Sequence, residues 1–176
     1  MSSFVKRAAA ALAALVLVPV LSISSAVTAS AGGVPLPTYR IINQDNPTVC
    51  LDIPHGSTDN HKAVQIYTCN GGLNQQWQYV NEPNVPVLGK SYGYLINVAS
   101  GKCADVKQAS LTPGAAVEQY TCFPGTRNQL WTYDIISQTF RVLHSDQCLV
   151  ARVPGSKVDL MQYPCDSVYS KRWVML

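Results

Sequence analysis

The sequence has few charged residues. Only 13% of its 176 residues are Asp, Glu, Lys or Arg, and just two, Glu82 and Glu118, are glutamates. Two of the 13 basic residues, Lys6 and Arg7, stand near the start of the chain, and without them 11 basic residues face 10 acidic ones. Because no basic stripe and no polybasic cluster remains, we expect neither nucleic acid nor a membrane surface as a partner.

Several other signatures are missing. The sequence has no His-Glu-x-x-His pair and no Cys-x-x-Cys pair, which are common in metalloproteases and zinc sites. It also has no amphipathic helical period longer than a turn or two. These absences predict a protein without a cofactor or metal ion and without long helices.

The first 31 residues are predicted to be a secretory signal. Lys6 and Arg7 precede an apolar run from Ala8 to Leu21, and Ala29-Ser30-Ala31 is a small-x-small cleavage site. The alternative is an uncleaved membrane anchor, but the run gains Ser and Thr after Leu21, whereas a spanning helix needs about 20 strongly apolar residues. We therefore expect a secreted, extracellular protein with a short linker at 32–38 and one domain at 39–176.

A unit of two cysteines and a tryptophan occurs three times. The copies are Cys50, Cys69 and Trp77, then Cys103, Cys122 and Trp131, then Cys148, Cys165 and Trp173. An exported protein meets an oxidising compartment, so disulfides are expected rather than zinc ligation. Only pairing within each copy treats the three copies alike, which predicts the bonds Cys50–Cys69, Cys103–Cys122 and Cys148–Cys165.

Each copy is predicted to contain four short strands. It opens with an aromatic-aliphatic run, has one strand at each cysteine, and closes with a strand around its tryptophan. Twelve strands in three equal groups favour an all-β fold, the β-trefoil, in which six strands close a barrel and six form capping hairpins. The predicted repeats span about 39–82, 83–136 and 137–176, with boundaries marked by Pro83, Pro86, Gly89, Gly93 and Ser137-Gln138.

The motifs around the first two tryptophans resemble a known family. Gln75-Gln76-Trp77 and Gln129-Leu130-Trp131 are Gln-x-Trp motifs, and each follows a Cys-x-Asp and a Tyr-Thr-Cys sequence. From Tyr39 to Leu176 the chain resembles the ricin B chain-like (R-type) lectins, which are β-trefoils. The resemblance implies a carbohydrate partner. The implied contacts are hydroxyl acceptors at Asp52 and Asp105, stacking platforms at Tyr67 and Tyr120, and sugar-contacting amides at Asn74 and Asn128.

The spacing also brings the aspartates and tyrosines together. If the two cysteines of a copy lie opposite each other on antiparallel strands, Asp52 faces Tyr67 and Asp105 faces Tyr120. A carboxylate beside an aromatic ring is a poor core pair, and we expect this carboxylate to face solvent. It suits a sugar, whose hydroxyls donate to the acid while its C–H face covers the ring.

Gln75 and Gln129 allow two interpretations. Each lies two residues before a tryptophan, on the strand face that points toward the core. They either contact the sugar themselves or hold the aspartate and the buried backbone in place.

The third copy lacks the polar set. Val150 replaces the aspartate and is predicted to face Tyr163, while Ser170-Lys171-Arg172-Trp173 replaces Asn-Gln-x-Trp. This copy is therefore predicted to support the fold without binding sugar.

Together these features predict a secreted, non-enzymatic protein that binds galactose-like or related sugars in its first two copies. The repeated aspartates belong to different copies, too far apart for the paired carboxylates of glycoside hydrolysis. His55 and His61 are expected to be solvated loop residues, with His55 near enough to Asp52 to touch a ligand. The alternatives are a protease inhibitor or other protein-binding trefoil, which would use a protruding loop, and the targeting subunit of a separately encoded toxin or glycanase.

Overall fold

The computed structural model describes residues 35–83, 85 and 89–176. The predicted signal segment and the first three residues of the linker, together residues 1–34, lie outside the described residues, as does Pro86 of the predicted first boundary. The first strand begins at Thr38, next to the predicted start of the domain at 39. Within the described part, no helix is long and apolar enough to cross a membrane.

The strands fall into three groups that follow the predicted repeats. The first group is β1 (Thr38–Asn43), β2 (Asn46–Asp52), β3 (Lys62–Ala63), β4 (Gln65–Thr68) and β5 (Gln76–Asn81). The second is β6 (Gly93–Asn97), β7 (Cys103–Val106), β8 (Val117–Tyr120) and β9 (Leu130–Asp134). The third is β10 (Thr139–Val142), β11 (Cys148–Ala151), β12 (Val158–Tyr163) and β13 (Trp173–Met175). The predicted four strands per repeat are confirmed, with one interruption at Val64 that divides β3 from β4.

Six of these strands close a barrel. β1 pairs antiparallel with β13 and β5, β5 pairs with β6, β6 with β9, and β9 with β10. The ring is completed where the Trp173 amide donates to the Gln138 carbonyl at 2.7 Å. Closure leaves no open barrel edge, so the backbone groups of these strands find partners within the domain.

The other strands form three hairpins that cap the barrel. They are β2–β4, β7–β8 and β11–β12. Adjacent hairpins also pair with each other, β4 with β12 and β3 with β8, and an isolated bridge joins Ala116 to Met161. This threefold arrangement is the predicted β-trefoil.

The three tryptophans fill the core at equivalent positions. Trp77, Trp131 and Trp173 are each fully buried. Each indole N–H donates to a carbonyl of its own repeat, at Leu51 (3.1 Å), Ala104 (3.0 Å) and Leu149 (2.9 Å) respectively. Each ring thereby contributes apolar area to the core while its polar atom stays satisfied.

The three predicted disulfides are confirmed, but the predicted strand register is wrong. Cys50–Cys69, Cys103–Cys122 and Cys148–Cys165 are bonded, each with 5.1 Å between Cα atoms. The second cysteine of each repeat lies beyond the end of its strand. The first cysteine therefore faces, across the hairpin, the tyrosine that precedes the second cysteine by two residues, as Cys50 faces Tyr67.

The two-residue shift changes which residues face one another. Asp52 faces Gln65, Asp105 faces Glu118, and Val150 faces Met161. A shift of two residues keeps every side chain on its original face of the hairpin. Asp52 and Tyr67 therefore remain on one face as diagonal neighbours, and so do Asp105 and Tyr120.

Candidate functional site

In the first repeat, three amide groups surround the carboxylate of Asp52. Gln65 Nε2 donates to Oδ1 at 2.7 Å, while Asn74 Nδ2 and Gln75 Nε2 donate to Oδ2 at 2.7 and 3.1 Å. Asp52 is only 2% exposed. The expectation of a solvent-facing carboxylate is wrong, because the 3₁₀ turn Leu73–Gln75 folds two of these amides over the end of β2.

Asp52 lies in the wall of an open cleft of about 510 Å³. We call this cleft site 1; its lining residues are Asp52, Pro54, His55, Gly56, Gln65, Tyr67, Asn70, Asn74 and Lys157. The structure thus brings together three of the residues predicted for this repeat, namely Asp52, Tyr67 and Asn74. His55, which sequence analysis placed near a ligand, lines the same cleft.

The glutamines of the Gln-x-Trp motifs lie behind the aspartates. Gln75 and Gln129 are both fully buried. Gln75 Nε2 also donates to the Thr68 carbonyl at 3.0 Å, and its Oε1 accepts from the Asn70 amide at 2.7 Å. Gln129 makes the corresponding bonds to the Thr121 carbonyl and the Phe123 amide, both at 2.9 Å. In this structure each glutamine ties the aspartate to the turn that follows the second cysteine strand.

The second repeat carries the equivalent set, which we call site 2: Asp105, Tyr120, Asn128 and Gln129. Gln129 Nε2 donates to Asp105 Oδ2 at 2.8 Å, and Asn128 Nδ2 donates to the Val106 carbonyl at 2.9 Å. Asn74 makes the corresponding contact with the Ile53 carbonyl at 3.0 Å. The glutamine–aspartate bond and the asparagine–backbone bond of site 1 are therefore repeated at site 2.

Site 2 differs from site 1 in the residue that faces the aspartate. Glu118 occupies the position of Gln65, so Asp105 has a second carboxylate opposite it instead of an amide donor. Burial raises the pKa of Asp105 to about 6, and the charge of Glu118 adds to this rise while the hydrogen bond from Gln129 opposes it. Glu118 is held by His61 Nδ1 at 2.8 Å, with Lys107 Nζ at 3.9 Å.

The tyrosine of site 2 lies close to two other rings. The Tyr120 ring has its centroid 4.8 Å from that of His61 and 6.1 Å from that of Phe123. His61 belongs to the first repeat, and its side chain is 60% exposed. His61 is thus an exposed loop residue, as expected, but it also contacts Tyr120 and Glu118.

At the third position the structure is apolar. Val150 is fully buried and packs with Cys148 and Met161. Tyr163 stands where Tyr67 and Tyr120 stand in the other repeats, but its ring packs edge-on against Tyr169 at 4.8 Å. The polar set of the first two repeats is therefore not required for this fold.

The residues that reach the sites from across the hairpins were not predicted from the sequence. Gln65 and Glu118 were missed because the assumed register was shifted by two residues. Lys157 was missed because it belongs to the third repeat yet lines site 1. The offset of the second cysteine from its strand end has no clear signal in the sequence.

One catalytic motif is present in the sequence but not in the matching structural context. Residues Gly89-Lys90-Ser91-Tyr92-Gly93 fit Gly-x-Ser-x-Gly. A nucleophile elbow needs a strand, a sharp turn and a helix, whereas here the motif leads directly into strand β6. Nor does any group of three or more His, Cys, Asp or Glu side chains within the described residues have the arrangement of a metal site.

Comparisons with known protein families agree with this geometry. The family model described as "Ricin-type beta-trefoil lectin domain" matches residues 91–176, and the one described as "Ricin-type beta-trefoil lectin domain-like" matches residues 27–87. The chain belongs to the ricin-type β-trefoil lectin domain family. Its trefoil is thus a carbohydrate-binding domain of the non-catalytic lectin type. No curated protein matches the chain.

Solved structures show the same fold. The designed 3-fold symmetric protein ThreeFoil is 28% identical with a TM-score of 0.68, covering 79% of this chain and 97% of that one. An exo-β-1,3-galactanase from Clostridium thermocellum is also 28% identical with a TM-score of 0.68, but 81% of this chain covers only 31% of that larger protein. The Rhizoctonia solani agglutinin, at 19% identity and a TM-score of 0.66, shares the fold over 84% of this chain and 99% of its own.

Proposed function

We propose that this protein is a secreted lectin that binds galactose-like or related sugars at site 1 and site 2, and not in its third repeat. One observation carries the proposal. The first two repeats bury the same aspartate, bonded to the same glutamine, beside the same tyrosine and asparagine. The third repeat reaches the same fold with Val150 in place of the aspartate, so the requirements of the fold alone do not explain the repeated polar set.

The chemistry of the set suits a sugar. A carboxylate oxygen can accept more than one hydrogen bond, so Asp52 and Asp105 can accept hydroxyl donors while their amide neighbours hold them in place. The partly exposed rings of Tyr67 and Tyr120 offer an apolar face to sugar C–H groups. Gln75 and Gln129 are fully buried and support the sites by orienting the aspartates. Asn74 donates to the carboxylate of Asp52, and Asn128 occupies the equivalent position in site 2.

Secretion is part of the proposal and rests on the amino-terminal sequence and the three disulfides. Disulfides persist in oxidising compartments and are rare in the cytosol. Expression of the full chain in its native host, followed by amino-terminal sequencing of the protein from the medium, tests this. Mature protein that begins at Gly32 supports secretion, and retention of residues 1–31 contradicts it.

The tyrosines give a test of sugar binding that spares the buried network. Tyr67→Ala and Tyr120→Ala should each remove binding at one site on a glycan array, and the double variant should remove binding altogether. Tyr163→Ala is the matched control, because Tyr163 occupies the equivalent place in the third repeat. Sugar binding that survives the double variant, or that disappears in Tyr163→Ala while the protein stays folded, refutes the assignment of the two sites.

A second candidate is the targeting subunit of a separately encoded glycanase. It is favoured by the 28% identical galactanase, in which this fold accounts for only 31% of a longer enzyme. The native culture medium tests it, since a subunit should co-purify with a glycan-hydrolysing protein at constant ratio. A monomeric protein that carries no such activity would exclude this second candidate and leave the lectin proposal in place.

A further inference from the structure

In each repeat, the chain enters its third strand through a residue in the left-handed conformation. These residues are His61 (φ 64°), Gly114 (φ 87°) and Lys157 (φ 61°). Their amides donate to the carbonyls of Gln119 at 3.0 Å, Gln162 at 2.8 Å and Ile66 at 2.7 Å, respectively. Each acceptor lies directly before a stacking-position tyrosine, so each of these residues comes to lie beside the tyrosine of another repeat.

A second contact fixes this approach at sites 1 and 2. Ser156 Oγ accepts from the Thr68 amide at 3.1 Å, and Asn60 Oδ1 accepts from the Thr121 amide at 3.1 Å. In the third repeat the residue after the tyrosine is Pro164, which has no amide hydrogen to donate. The loops are thus positioned by hydrogen bonds at the two sites that keep the polar set.

The three left-handed residues present different chemistry. Lys157 Nζ lies 5.9 Å from the centroid of the Tyr67 ring, and its exposed side chain lines site 1. His61 contacts Tyr120 in the same manner, but its Nδ1 is bonded to Glu118. Gly114 presents no side chain to Tyr163.

Lys157 forms no ion pair with a described residue, although the buried carboxylate of Asp52 lines the same cleft. The ion pairs within the described residues involve Glu118, Asp146 and Asp45, and none of them includes Lys157. A sugar stacked on Tyr67 would therefore lie beside an unpaired ammonium group. At site 2 the corresponding position faces a carboxylate, so a ligand there meets no unpaired cation from this loop.

We infer that Lys157 is a specificity-determining residue of site 1, supplied by the third repeat, and that it makes this site favour glycans bearing a carboxylate, such as uronic acids, over their neutral counterparts. The inference rests on the proposed sugar binding at site 1 and adds the class of sugar. An exposed ammonium–carboxylate pair is a modest interaction, so the expected preference is roughly twofold to fivefold.

The test isolates each site and compares matched sugars. The Tyr120→Ala variant leaves site 1, and NMR titration then gives its affinity for galacturonate against galactose and for glucuronate against glucose. The acidic sugar should bind roughly twofold to fivefold more tightly at low salt, and Lys157→Gln should remove this preference. Salt at about 0.5 M should reduce it too, because the Debye length falls well below 10 Å.

Two controls accompany this test. Lys90→Gln makes the same charge change at an exposed lysine that does not line site 1, and it should leave the preference intact. The Tyr67→Ala variant leaves site 2, which should show no preference for the acidic sugar. Equal binding of acidic and neutral sugars at site 1, or an unchanged preference in Lys157→Gln, overturns the inference. Failure of every sugar to bind site 1 removes the proposed function as well, so the two failures are distinguishable.

Discussion

Replacing Asp52 with asparagine removes a charge that three amide donors share. Asparagine can present its single oxygen to Asn74 and Gln75, and its NH₂ group then faces the amide of Gln65, which must turn over to accept through its oxygen. Hydrogen bonds to a charged group contribute about 1.5 to 3 kcal/mol each. Neutral hydrogen bonds contribute about 1 kcal/mol less each. Replacing three charged bonds with neutral ones should lower the free energy of unfolding by about 3 kcal/mol, which corresponds to a fall in Tm of roughly 10 °C for a domain of this size.

The same substitution at Asp105 should behave differently. Gln129 Nε2 donates to Asp105 Oδ2 at 2.8 Å, and Asn128 is a second amide donor to this carboxyl group. An asparagine oxygen can accept from both. The new NH₂ group can donate to Glu118, which faces it across the hairpin. The substitution also removes a buried charge whose pKa is raised to about 6. Asp105→Asn should therefore leave Tm at pH 7 unchanged or raise it.

Circular dichroism and urea unfolding of the two variants at pH 7 measure this contrast, with each variant serving as the matched control for the other. Both substitutions should still abolish sugar binding at their own site, because both remove the charged acceptor. Equal Tm changes in the two variants would refute the account of how each carboxylate is held. A large loss of stability in Asp105→Asn alone would reverse the expected order of the two variants.

Three further predictions concern pH, valency and the disulfides. Because the pKa of Asp105 rises from 3.8 to about 6 on folding, the folded state binds the proton more tightly, so this group's contribution to stability should fall as the pH rises from about 4 to 6; urea unfolding in Asp105→Asn should lack that decline. Sugar binding at site 2 should weaken as the pH falls below about 6, because protonation of Asp105 removes the charged acceptor. Glu118→Gln should lower the pH at which half of this binding is lost, and an unchanged midpoint would exclude the coupling to Glu118. Each single site should bind a monosaccharide near the millimolar level, about −4 kcal/mol, and calorimetry should show tighter binding of a polysaccharide that is lost in Tyr67→Ala or Tyr120→Ala. Replacing Cys103 and Cys122 with alanine should lower the free energy of unfolding by about 3 kcal/mol, and a much smaller loss would mean that the unfolded chain is already restricted.

Much of the fold was predictable because it depends on local spacing. The recurrence of two cysteines and a tryptophan determined the number of repeats, the disulfide pairing and the position of the core rings. Gln-x-Trp motifs then identified the two repeats that carry the polar set and the one that does not. Each of these features lies within about 30 residues of chain, so its pattern survives in the sequence.

The strand register could not be predicted in this way. The assumption that bonded cysteines lie directly opposite each other is reasonable, but the second cysteine of each repeat follows its strand and reaches back diagonally. That offset decides that Gln65 faces Asp52 and Glu118 faces Asp105. As a result, two aspartates with the same local sequence have different electrostatic surroundings.

The sequence by itself therefore determined the repeat, its covalent bonds and the identity of the aspartate, tyrosine and asparagine in each site. Only the tertiary structure decided how deeply the aspartates are buried and which residues lie across from them. It also decided that Lys157 and His61 reach the tyrosines of neighbouring repeats. The physical reason is that threefold packing joins residues far apart in the chain, and these contacts depend on how the hairpins meet over the barrel, which no local spacing records.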